Sequence, residues 1–118
     1  MNPQLVQPTT QIPARLGTSF AVWFRVLGSP AGAPVNLRAI TRIPHPGITN
    51  PRNNTTFLTS EYESMQAIGE VSYRSYTFEE PWEIATGTWT MEFWLDGKLV
   101  GEQKFEVVAD DKTSEAPR

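Results

Sequence analysis

Three carboxylates within five residues, in the stretch "FEEPWE" over 78–83, are the densest chemistry in this chain. Glu79, Glu80 and Glu83 stand near Tyr76, Phe78 and Trp82, so the chemistry to consider is acid–base work on a glycoside or a calcium site. A calcium loop interleaves Asp or Asn ligands with a turn glycine, and here Pro81 intervenes; the expected role is a solvated connection with Trp82 tucked against the fold. His45, the only histidine, lies between two prolines. No Gly-x-Ser-x-Gly elbow accompanies it, and a zinc ion would have only carboxylates to complete its ligands, so it reads as a loop residue. Cysteine is absent, which removes disulfides, thiolate ligands and thiol nucleophiles together. Asn53 and Asn54 each open an Asn-x-Thr sequon, and with no secretory leader evident both are read as loop residues. Arg15 is expected to cap carbonyls or pair with a carboxylate. No catalytic residue, cofactor site or metal site is expected.

The residues suit binding better than catalysis. In "GTWTMEFWL", a strand that buries Trp89, Met91, Phe93 and Leu95 turns Thr88, Thr90, Glu92 and Trp94 outward. A neighbouring strand would bring Arg38, Ile40 and Arg42 to the same face, and the last strand Val100, Glu102, Lys104 and Glu106. The candidate interaction face is therefore Arg38, Ile40, Arg42, Glu92, Trp94, Glu102 and Lys104. Aromatic and arginine side chains ringed by charge are the material of protein interfaces. An exposed tryptophan also suits stacking on a sugar. A third reading is a surface satisfied within itself, with Arg38 or Arg42 stacked on Trp94 and paired to Glu92. An acidic partner would be drawn by Arg38 and Arg42. Trp23 and Arg25 raise the same question more faintly on the opposite sheet.

The elements that must carry these residues alternate with period two, the mark of half-buried strands. "SFAVWFRVL" over 19–27 and Val35 to Ile43 both alternate, with "GSPAGAP" making the turn between them. Residues 44–54 read as an irregular loop crossing between sheets, and weaker strands follow near 57–67 and 71–78. A second connection over 79–87 leads to strands 88–95 and 98–108, joined at Asp96-Gly97 by a type I′ turn. The prolines of residues 1–11 leave room only for a short edge strand, placed near residues 4–12. The tail over 110–118 is polar and reads as disordered. One domain over 1–109 results. The strands at 19–27 and 71–78 are expected to pair in one sheet, those at 35–43, 88–95 and 98–108 in the other, and the strand at 57–67 to be a short one between.

With 118 residues, 39% of them hydrophobic and 19% charged, the chain can bury one core. No run of about 18 apolar residues occurs, so no membrane partner is expected. A net charge of −3 argues against nucleic acid. The charge is uneven. Residues 1–60 carry five arginines and no acid, whereas residues 61–118 carry all 13 acids against five bases. Pairing of the two halves across strands is the simplest account. The expected partner is another protein, with a glycan as the alternative, and the chain a monomer or weak homodimer. Localisation follows from whether a leader once preceded Met1: cytoplasmic if the chain is complete, periplasmic or secreted if a signal was removed.

A glycine before Trp89, then Asp-Gly-Lys and a closing Phe-x-Val, resembles the last hairpin of bacterial immunoglobulin-like domains. "IPARLGTSFAVWFRV" (12–26) and "YTFEEPWEIATGTWTMEFWLDGKLVGEQKFEVV" (76–108) are similar to a bacterial family of small domains of unknown function. Alternation and turn spacing give an all-β sandwich of about seven antiparallel strands, with no cysteine for a disulfide, and the resemblance implies that this β-sandwich is immunoglobulin-like. It implies a bacterial origin and brings no activity, cofactor or site. The function expected is a non-catalytic interaction or structural module, with a carbohydrate-binding module as the alternative and a carboxylate-based hydrolase behind both.

Overall fold

Alternating segments become strands throughout the computed structural model, which describes residues 11–109. In chain order these are β1 (Gln11–Ala14), β2 (Ser19–Arg25), β3 (Pro34–Arg42), β4 (Ile48–Asn50), β5 (Thr55–Phe57), β6 (Thr59–Ala67), β7 (Val71–Thr77), β8 (Gly87–Leu95) and β9 (Lys98–Ala109). One 3₁₀ turn, Pro81–Glu83, precedes β8. A five-stranded sheet in the order β1-β9-β8-β3-β6 faces a two-stranded sheet, β2-β7, and β4 pairs with β5 in a small hairpin.

The core lies between the two larger sheets. Phe20 of β2 sits at its centre, with ring centroids 4.9 Å from Phe105, 5.6 Å from Phe78 and 5.7 Å from Trp89. Trp89 is fully buried, and its indole N–H donates to the Ala85 carbonyl at 2.8 Å, so its polar edge is satisfied. The inward set of β8 (Trp89, Met91, Phe93) meets Phe105 and Val107 of β9 and Leu37 and Ala39 of β3. Asp96 and Gly97 both take positive φ, 51° and 77°, as a type I′ turn demands.

Four features depart from the expected arrangement. Nine strands form among the described residues rather than seven, and β1 runs parallel to β9, so the sheet is mixed. The segment at 59–67 is not a short strand; all nine of its residues pair with β3, extending the larger sheet. The crossing loop contains a hairpin of its own, whose turn is held by Asn50 and Asn53 side chains accepting from the Arg52 and Thr55 amides. Finally, a β-bulge interrupts the last hairpin: Phe93 lies opposite Gly101 and Trp94 opposite Leu99, leaving Val100 as the extra residue. The proline-rich N-terminal segment before Gln11 and the polar tail lie outside the described residues.

Candidate functional site

The outer face of the larger sheet is built in rows by strand register. One row runs Leu99, Trp94, Arg38, Glu63 from β9 to β6; the next is Glu102, Glu92, Ile40, Glu61; the third is Lys104, Thr90, Arg42, Thr59. All seven residues expected on this face are therefore brought together. The bulge makes one change: Leu99, 46% exposed, replaces Val100 beside Trp94. Val100 instead lines a cleft at the hairpin end with Phe24, Leu37, Phe93 and Leu95.

Ion pairs run diagonally between the rows. Arg38 Nη2 lies 2.5 Å from Glu61 Oε1, and Arg42 Nε donates to Glu92 Oε2 at 2.8 Å. The other oxygen of Glu92 accepts the Trp94 indole N–H at 3.0 Å. Lys104 Nζ is 3.3 Å from Glu102, and Thr88 bonds Glu106. Ile40 belongs to this face by register yet is buried, because Glu61 and Glu92 flank it and their arginines sit two residues away on either side along β3. The stems of such arginines cover apolar surface while their charges stay wet.

The electrostatics follow. Hydrogen bonds from Arg42 and then Trp94 hold the Glu92 carboxyl below its ordinary value, against a desolvation effect that opposes them. Arg38 and Arg42 are raised, chiefly by the hydrogen bonds to their glutamates. Both are thus engaged already, and Glu61, Glu63, Glu92, Glu102 and Glu106 outnumber Arg38, Arg42 and Lys104 on the face. The attraction for an acidic partner expected of these two arginines is therefore largely answered within the domain. Two of the five first-half arginines, Arg38 and Arg42, thus pair with glutamates of the second half. The guanidinium–indole stacking considered for Trp94 is replaced by a carboxylate bridge. The cation–π contact among the described residues is Arg74 over the Tyr62 ring, at 5.6 Å.

The glutamate cluster is structural in its most enclosed member. Glu83 Oε1 accepts the Glu79 and Glu80 amides at 2.8 and 2.9 Å, and Oε2 accepts the Tyr76 hydroxyl at 3.2 Å. A carboxylate bound in this way holds the 3₁₀ turn and is poorly placed to act as a base. Burial, with Glu83 adding to it, raises the Tyr76 phenol well above its ordinary value. His45 is exposed, and among the described residues no group of three His, Asp or Glu side chains could hold a metal ion. No helix among them is long and apolar enough to cross a membrane.

Two surfaces were harder to read from sequence. Trp23 of β2 is 49% exposed and stacks on Tyr73 of β7, with centroids 4.9 Å apart. Arg74 points toward the core side of β7 and donates to Thr41 Oγ1 and the Ser60 carbonyl. Its signal was present as a cation at an inward position of "VSYRSYT", in register with Val22.

Residues 1–107 match the family model described as Domain of unknown function (DUF3859). The chain belongs to that family. Among solved structures, this DUF3859 domain is similar to the crystal structure of an immunoglobulin-like protein from Pseudomonas aeruginosa. The two are 27% identical with a TM-score of 0.68, covering 89% of this chain and 83% of the other. With the topology above, this makes the DUF3859 domain an immunoglobulin-like β-sandwich. An alkylpurine DNA glycosylase from Pseudomonas fluorescens, bound to DNA containing an abasic site analogue, aligns at 13% identity and a TM-score of 0.44. That alignment covers 85% of this chain and 28% of the glycosylase, too distant a likeness to carry an argument. No curated protein matches.

Proposed function

We propose that this domain is a non-catalytic recognition module that binds a protein partner through the outer face of its five-stranded sheet, around Trp94 and Leu99. One observation carries the reading. Trp94 is only half-buried, yet its indole is tethered to Glu92, which Arg42 holds in turn, so the aromatic is fixed before any partner arrives. Preorganised side chains lose less entropy on binding, and tryptophan is favoured at interface centres. Four strands about 4.8 Å apart, each at least nine residues long, offer roughly 19 by 30 Å, or ~570 Å². That is somewhat below the ~800 Å² per side of a standard interface and fits a modest, reversible contact.

Parallel capture from bacterial lysate tests this, with wild type, Trp94→Ala and Leu99→Ser as baits after each is checked for folding. A protein retained by wild type and lost by both variants is the expected result. Identical captures from all three baits contradict the reading.

A second reading, sugar binding, is favoured by the exposed Trp23–Tyr73 stack on the opposite sheet. Its test is tryptophan emission on titration with soluble glycans, using Trp23→Phe to attribute any change; flat titrations across a panel of glycans exclude it.

A further inference from the structure

The smaller sheet ends abruptly. Among the described residues β7 pairs only with β2, so one edge of a seven-residue strand stays open. The Phe78 amide donates to the Thr18 carbonyl, and this register makes Phe20–Tyr76, Val22–Arg74 and Phe24–Ser72 the bonded pairs. The amides and carbonyls of Tyr73 and Ser75 therefore point away from β2, toward the open edge. Above this edge hangs β6, whose core-side residues Ser60, Tyr62 and Ser64 have, among the described residues, no strand of the smaller sheet beneath them; Tyr62 is 54% exposed although it faces inward.

Two features beside the edge say what could fill it. Arg74 is half-buried and bonds Thr41 and Ser60, and no carboxylate pairs with it among the described residues. Two residues along, Tyr76 lines a cleft of about 200 Å³ between β6 and β7, walled mainly by Ile43, Ile48, Phe57 and Trp82, with the Glu83 carboxylate already taken up by the Tyr76 hydroxyl and two backbone amides. A strand laid against β7 would point alternate side chains at these two places. The one charge on β7, Arg74, faces inward, which discourages indiscriminate pairing and favours a strand that brings a carboxylate to answer it. A second copy fits poorly, because antiparallel pairing of two β7 strands about their midpoints sets Arg74 against Arg74.

We propose that the open edge of β7 accepts an extended segment of a partner protein as a third strand, with an acidic side chain beside Arg74 and an apolar one, two residues away, in the cleft at Tyr76. Main-chain bonds to Tyr73 and Ser75 supply the hold and the acid–apolar spacing the selectivity. This edge lies on the opposite sheet from Trp94, so neither reading depends on the other.

The test uses the full chain, isotope-labelled for NMR, with the synthetic peptides Thr-Phe-Thr-Glu-Thr-Val-Thr and Thr-Val-Thr-Glu-Thr-Phe-Thr, which cover both strand directions. Shifts and slowed exchange at the Tyr73 and Ser75 amides are expected. Replacing the peptide's Glu by Lys should weaken binding about tenfold or more, as like charge meets Arg74. N-methylation of alternate peptide amides should abolish it. Arg74→Gln, which keeps an amide donor for Thr41, should erase the preference for Glu over Lys. Should that variant fail to fold, the methylated peptides decide on wild type alone. No response at Tyr73 and Ser75 up to millimolar peptide overturns the proposal, as does binding indifferent to methylation or a response confined to Trp94 and Leu99. Concentration-dependent shifts at β7 without peptide overturn it in favour of self-pairing.

Discussion

Glu92→Gln is predicted to cost about 1 kcal/mol at neutral pH and almost nothing in acid. The carboxylate is 12% exposed and serves two donors, Arg42 at 2.8 Å and Trp94 at 3.0 Å. A hydrogen bond to a charged group contributes roughly 1.5–3 kcal/mol where both partners are sheltered. Arg42 is half exposed, so solvent screening brings its part toward the ~0.2–1 kcal/mol of surface pairs. Glutamine keeps an oxygen for one donor, which leaves about 1 kcal/mol at stake, or about 4 °C in Tm for a domain of this size. The sign of the pH dependence follows from the lowered Glu92 pKa. Its contribution is fully present above the unfolded value of about 4.3 and is lost as pH falls through the lower folded value. Arg42 stays charged throughout. Urea unfolding of wild type, Glu92→Gln, Arg42→Gln and the double variant, at neutral pH and again near pH 2, isolates the pair from other titrating acids. A coupling of about 0.5–1 kcal/mol that vanishes in acid is expected; a coupling that is absent at neutral pH, or survives in acid, would mean that the Glu92 charge does not hold Arg42.

Phe20→Ala should cost about 3–5 kcal/mol in urea unfolding, since it empties the centre of the aromatic cluster that joins β2 to β8 and β9. Gly47→Ala should cost clearly more than Gly17→Ala. Both glycines have positive φ, but a Cβ at 47 meets the Phe57 carbonyl oxygen at 2.5 Å while one at 17 meets nothing within 4 Å. Hydrogen exchange of the free domain should show the Tyr73 and Ser75 amides exchanging far faster than those of Ser72 and Arg74, an alternation that a covered β7 edge would not give.

Much of the sandwich was legible from residue alternation. The inward sets at 20–26 and 35–43 describe β2 and β3 closely, Asp96-Gly97 marks its turn, and Trp89 fills the role its place before an alternating strand implies. The division of strands between sheets also follows, with β2 and β7 in one and β3, β8 and β9 in the other. The strand at 59–67 was the hardest to place. Its core-side residues are mostly small and polar (Ser60, Ser64, Gln66), so hydrophobic pattern could not say which sheet it joins. The parallel pairing of β1 rests on four residues that include a proline, too few to reveal direction. On the outer face, alternation placed six of its residues and the tryptophan, but a one-residue bulge exchanged Val100 for Leu99, a shift that "KLVGE" does not advertise. Alternation allowed one of the two arginines to pair with Glu92, and Arg42 does so; that Arg38 answers Glu61 was not legible, because such pairing depends on register across strands far apart in sequence.

Contact between a protein partner and the Trp94 face can be read from a hydrogen-exchange footprint of the domain with its captured partner. Slowed exchange concentrated on β8, β9 and β3 around Trp94, Leu99 and Arg38 is the predicted result. Protection confined to β2 and β7, with the outer face of the larger sheet unchanged, would contradict it.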